Sequence, residues 1–154
     1  MKFRRIVCGM DFSGSSVQAF KTALNLSRED ECIIYLVHVI DHLLAHEPVF
    51  ASSTDSIDYT PQQILERMRG LVPQDRKNVP QIETAILHGS AASALSDFAK
   101  EKGADVIVVG THGRAGLSRT FLGSTSAGLV RKAPCPVLVV KMKPEEAEKG
   151  GTSK

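Results

Sequence analysis

Apolar positions along this chain fall into short unbroken runs, separated by stretches in which they recur every three or four residues. Residues 4–10 form the first run, rich in β-branched side chains and closed by Asp11, which predicts a buried strand. After the turn Phe12-Ser13-Gly14, Ser15 or Ser16 is expected to cap a helix whose apolar stripe is Val17, Phe20, Ala23 and Leu24. Residues 32–40 read as a second buried strand, and residues 41–59, of mixed polarity and no clear period, as a variable loop. Thr60-Pro61-Gln62-Gln63 then has the form of a helix start. Thr60 is the cap, Pro61 takes the first helical position and Gln63 closes a capping box. Ile64, Met68, Leu71 and Val72 supply that helix with its stripe.

The alternation continues to the end of the chain. Residues 81–87 predict a third strand, at a sheet edge. Ser90 opens a helix carrying Ala91, Leu95, Phe98 and Ala99, and residues 105–109 form a fourth strand. Residues 125–132 form a last helix and Val137–Val140 a fifth strand. Strands alternating with amphipathic helices require crossover connections, so the expected fold is α/β: an open five-stranded parallel sheet with helices on both faces, Rossmann-like. No internal repeat is present. One domain over residues 1–142 is expected, followed by a mobile tail, 143–154, that has no apolar face. In such a sheet the ligand crevice lies beyond the carboxyl ends of the strands, where strand order reverses. Chemistry should therefore gather after Met10, Val39, Leu87 and Val109.

Composition narrows the function classes. The 154 residues suit one core, with 42% hydrophobic and 23% charged positions, as in soluble globular domains. The net charge of +2, from 19 basic and 17 acidic residues, is too small and too dispersed for a nucleic-acid face. Lys2, Arg4 and Arg5 resemble the start of a leader, but the apolar stretch that follows stops at Asp11, and no run is long enough to span a bilayer. Cys8, Cys32 and Cys135 are odd in number, far apart and free of metal or redox spacing, so they read as small core side chains in a cytoplasmic protein.

Candidate chemistry concentrates between the fourth strand and the last helix. Gly110, Gly113 and Gly123 allow a ligand close approach to backbone N–H groups. Gly123-Ser124 opens a helix whose free N–H groups and positive dipole end favour an anion, and Ser124 and Thr125 add hydroxyls. Other phosphate loops fit poorly. Gly9 and Gly14 have the spacing of a P-loop, but Ser15 stands where its lysine belongs, and no G-x-G-x-x-G occurs. Arg114 and Arg119 read as solvated, and His112 as a loop histidine without a partner carboxylate. His42 and His46, with His38 upstream, have a metal-like spacing but lie in a predicted loop, so no metal site is expected.

The segment with Gly110, Gly113, Gly123 and Ser124 in register matches G-2x-G-9x-G-[ST] and resembles the universal stress protein family. Residues 104–109 before it and 133–140 after it continue the likeness, as do Asp11-Phe12-Ser13, Ser16 and Ala19 near the start and His88-Gly89 after the third strand. The likeness covers about residues 3–141. The resemblance implies the branch that binds ATP, on a fold like that of the adenine nucleotide alpha hydrolases, with ATP alone or with Mg²⁺ as ligand. Carried onto this chain, it implies that Asp11 meets the adenosine end and that Val39 touches adenine through its backbone. It implies Gly110 near the ribose, and Gly113, Gly123, Ser124 and the N–H of Thr125 on the phosphates. Two positions depart from the usual pattern: Gly9 replaces a proline before the first loop, and Thr125 replaces an apolar residue. No catalytic residue is implied, so a binding module is expected, with a slow ATPase, a nucleotide-transferring enzyme or an interaction protein that binds no nucleotide as alternatives. The resemblance also implies a symmetric homodimer through Val137–Val140, whose unbroken apolar character suits a paired edge.

Overall fold

The computed structural model describes residues 2–27, 31–41, 59–75, 77, 79–111 and 123–142. Five strands, β1 (Arg5–Gly9), β2 (Ile33–Ile40), β3 (Gln81–His88), β4 (Val106–Gly110) and β5 (Val137–Val140), alternate with four helices. These are α1 (Gly14–Leu26), α2 (Pro61–Leu71), α3 (Ala91–Lys102) and α4 (Ser124–Lys132). All strand pairs are parallel, in the order β3-β2-β1-β4-β5. The expected doubly covered parallel sheet is the fold observed. The variable loop falls largely on residues 42–58 and the tail on 143–154, outside the described residues.

Alternating side chains explain why the strands look uniformly apolar. Ile6, Cys8, Met10, Ile34, Leu36, Val106 and Val108 pack on one face with Ala19, Phe20 and Ala23 of α1 and Ile64 and Met68 of α2. Their neighbours Val7, Tyr35, Val37, Ile107 and Val109 point to the other face, against Ala92, Leu95 and Ala99 of α3 and Leu129 of α4. A central strand thus has no polar side to show, and burying each large aliphatic contributes about 1.5–3 kcal/mol. Burial also accounts for the cysteines. Cys8 is fully enclosed, and desolvation pushes its thiol up to about 12, so it stays protonated and unreactive at neutral pH. Cys32 and Cys135 are shifted upward as well, first by burial and then by the charge of Asp105.

Helix starts show where local sequence decided the outcome. At α2 the capping box forms as expected: Thr60 Oγ1 accepts from the Gln63 amide at 3.3 Å, and Gln63 Oε1 accepts from the Thr60 amide at 2.9 Å. Thr60→Ala should cost about 1 kcal/mol, read as a lower urea midpoint at unchanged slope. At α1 the expectation needs correction. Ser13 is the cap, accepting from the Ser16 amide at 3.3 Å, while Ser15 and Ser16 are buried within the first turn. Ala19, outside the expected stripe, is fully buried, whereas Val17 and Leu24 are only half-buried. Val72 closes α2 rather than extending it, and Ser90 starts α3 without a side-chain cap.

Candidate functional site

Strand order reverses between β1 and β4, which pair side by side although β1 next turns to β2 and β4 to β5. The helices that leave them, α1 and α4, therefore diverge to opposite faces and open a crevice past the carboxyl ends of the two strands. Leu87, by contrast, ends the far edge strand and stands two strands away from this opening.

The floor of the crevice is built by close backbone approach. Gly110 ends β4 directly against the start of α1: a side chain there would collide with Ser15, whose carbonyl carbon lies 2.6 Å from the position a Cβ would take. The Gly110 carbonyl accepts from Ser126 Oγ at 2.9 Å, tying β4 to the first turn of α4. Thr111 then bridges three elements. Its amide donates to the Val140 carbonyl at 3.0 Å, and its own carbonyl accepts from the Gly123 amide at 2.8 Å. The chain thus leaves the sheet at Thr111 and returns at Gly123 to a partner on the same residue. Gly123 is the N-cap of α4, and no side chain caps that end. The amides of the first turn have no acceptor within the helix, so this terminus favours an anion, with exposed Ser124 and half-buried Thr125 beside it.

The β1 side carries Asp11. Its Oδ1 accepts from the Ser13 amide at 2.9 Å, fixing the turn ahead of α1. Between them Phe12 adopts φ +65°, a left-handed backbone that costs a bulky residue about 1–3 kcal/mol. The Phe12 ring meets His38 at 5.5 Å between centroids, and His38 Nδ1 donates to the Met10 carbonyl at 2.7 Å. The guanidinium of Arg67 lies 4.2 Å from the same ring and 5.3 Å from that of Tyr59. Val39 lies beyond the Gly9–Val37 pairing of β1 with β2, at the level of Asp11.

Of the residues proposed from sequence, Gly110, Gly123, Ser124 and Thr125 gather at the β4–α4 junction, with Asp11 just past the end of neighbouring β1 and Val39 one strand further away on β2. Gly113 lies outside the described residues, as do His112, Arg114, Arg119, His42 and His46. Sequence reasoning missed Ser126, Thr111 and the Arg67–Phe12 contact. A serine one turn into an amphipathic helix gives no sign that its hydroxyl closes a strand end. Among the described residues no group of three His, Cys, Asp or Glu side chains is placed to hold a metal, and no helix is long and apolar enough to cross a membrane. A groove of about 380 Å³, lined by Val72, Pro73, Val79, Pro80, Gln81 and Ile82, lies at the amino-terminal end of β3. It sits at the opposite end of the sheet, so the crevice, with its convergent donors, is the better candidate.

These features define a doubly wound α/β domain with a backbone-lined crevice at its topological switch point. The chain belongs to the universal stress protein family, whose sequence profile matches residues 2–141. It is 32% identical over 148 residues to universal stress protein MJ0531 of Methanocaldococcus jannaschii, covering 94% of this chain and 85% of the relative. Its fold is similar to the solved hypothetical protein MJ0577, with a TM-score of 0.78 and 24% identity over 94% of this chain and 99% of that one. It is also similar to a universal stress protein in complex with cAMP (TM-score 0.58, 24% identity, 91% and 98% coverage). A third solved relative is the Arabidopsis thaliana family member At3g01520 with AMP bound (TM-score 0.62, 21% identity, 93% and 94% coverage).

Proposed function

We propose that this protein is a cytoplasmic regulatory module that binds ATP in the β1–β4 crevice and does not turn it over efficiently. The observation that carries the reading is the Gly110–Thr111–Gly123 junction. It brings a strand end, a helix start with uncapped amides and two hydroxyls to one spot at the switch point. Bound cAMP and AMP in two proteins of this fold support an adenine nucleotide as the ligand class. In this reading Asp11 and Val39 hold the adenosine end, Gly110 adjoins the ribose, and Gly113, Gly123, Ser124 and Thr125 take the phosphates. Mg²⁺ would arrive on the triphosphate rather than in a protein-built cage, the usual situation for this ion.

Phosphoryl transfer requires a positioned nucleophile and charge stabilisation at the γ-phosphate. Asp11, the carboxylate on the β1 side of the crevice, is engaged with the Ser13 amide. Equilibrium binding of ATP followed by analysis of the products tests the reading. Retention of ATP with turnover below roughly 1 s⁻¹ is expected. Fast hydrolysis abolished by His112→Ala would make the protein an enzyme, and failure of ATP, ADP and AMP to bind would leave an interaction protein.

The assembly proposed is a symmetric homodimer through β5. Among the described residues this strand pairs only with β4, and its Leu138 is 37% exposed, while Val130 on α4 is 63% exposed. An apolar edge of this kind favours pairing with a second copy. Light scattering at micromolar concentration should give the mass of a dimer, and Leu138→Lys should shift it to the monomer. A wild-type monomer would overturn the proposal.

A further inference from the structure

The turn that presents Asp11 is braced from a different part of the chain. Phe12 holds its left-handed backbone while its ring is in contact with both His38 and Arg67. His38 belongs to β2 and is fixed by its bond to the Met10 carbonyl. Arg67 comes from α2, a helix seated by buried Ile64 and Met68 and started by the Thr60 capping box, so its guanidinium is delivered by a rigid support. Tyr59, just ahead of that cap, flanks the same cation. Arg67 is exposed, and among the described residues no carboxylate pairs with it; its guanidinium lies over the two rings.

A strained backbone persists only where its surroundings over-determine it. A cation over the face of Phe12 is attracted to the ring in the position that the left-handed turn gives it, and so favours that turn over relaxed alternatives. Relaxation of Phe12 would rotate the peptide that joins it to Asp11 and break the bond from the Ser13 amide to the Asp11 carboxylate. We propose that Arg67 is a positioning residue for the adenosine end of the site: stacked on Phe12, it holds the turn that aims Asp11 into the crevice. This rests on the adenine-nucleotide reading and adds a residue from α2 to it.

The test compares wild type with Arg67→Ala, Arg67→Lys and Phe12→Leu in the full chain, titrated with ATP and with adenosine. Exchange of the Ser13 amide is followed by NMR in the same samples. Arg67→Ala should weaken ATP and adenosine alike, by roughly twofold to fivefold, the scale of one exposed cation–π contact. It should also speed exchange at Ser13 while leaving Ala99, on the opposite face, unchanged. Arg67→Lys should recover part of the loss. Phe12→Leu should reproduce it, with the double variant no worse than either single one. Unchanged affinities, or weaker binding with Ser13 exchange unaltered, would overturn the proposal. So would a loss confined to ATP, which would place Arg67 on the phosphates. If the wild type binds neither ligand, the nucleotide reading fails separately, and faster or unaltered Ser13 exchange in Arg67→Ala still supports or refutes the bracing of the turn.

Discussion

Gly110→Ala is expected to destabilise the protein by about 3 kcal/mol, near the upper end of what overpacking costs. The reason is space rather than backbone freedom. An added Cβ would lie 2.6 Å from the Ser15 carbonyl carbon and 2.8 Å from Ser15 Cβ, and still closer to its hydroxyl. The obstacle includes main chain at the capped start of α1, so no rotamer change relieves it. On the β4 side, retreat is opposed by the Ser126 bond to the Gly110 carbonyl and by pairing with both β1 and β5. For a chain of this size the melting temperature should fall by roughly 6–12 °C. The control is Gly70→Ala. Gly70 lies in α2 with nothing within 4 Å of the Cβ position, so the same substitution should there raise stability by a few tenths of a kcal/mol. Equal melting temperatures for Gly110→Ala and wild type would show that α1 and β4 are free to separate, and would remove the floor of the crevice as described.

ATP at a hundredfold excess over its Kd should stabilise the folded chain by about 2.7 kcal/mol, because it binds the folded state alone. The melting temperature should then rise by roughly 5–10 °C. Ser124→Ala with Thr125→Ala should shrink the shift without abolishing it, since the amides at the start of α4 remain. Gly123→Val should shrink it further: the branched side chain would crowd the phosphates, with the unliganded fold largely preserved. Asp11→Ala should act from the adenosine end and reduce the shift with adenosine as well as with ATP. No shift with ATP, ADP or AMP would refute the binding reading. A collapse of unliganded stability in Gly123→Val, with normal ATP affinity in the protein that still folds, would make Gly123 a structural glycine.

The sequence was most informative where a local signal had only one outlet. The Thr60-Pro61-Gln62-Gln63 start of α2 formed both reciprocal bonds because its partners lie three residues apart, and β5 kept its expected limits although it pairs with distant β4. Gly123-Ser124 opened α4 as expected. The expected caps of α1, Ser15 and Ser16, gave way to Ser13, and tertiary contact settled it. Ser15 is needed as a buried packing residue against Gly110, so the cap falls to Ser13. Strand order was legible only at its ends: the third and fifth strands were expected at edges and both lie there, but alternating strand and helix fits several windings between them. It is the order that makes Met10 and Gly110 crevice residues and leaves Leu87 outside. The left-handed Phe12 and its contact with Arg67 were hidden for a related reason: they join positions 55 residues apart, with no shared motif.

The central place of β1 also sets when the site comes into being during synthesis. Ile6 of β1 pairs with Ile34 of β2 on one side and with Val106 of β4 on the other. At about 5–20 residues per second, β4 leaves the ribosome some 5–20 s after β1. Throughout that interval β1 waits with one side open, an apolar strand edge exposed to other chains even after β2 and β3 have joined its other side. Closure of that edge by β4 and formation of the crevice are one event, because the Gly110 contact with Ser15 cannot exist before it. A ligand that fits the crevice therefore recognises only chains that have finished folding, and its presence in the cell would draw late intermediates toward the closed sheet.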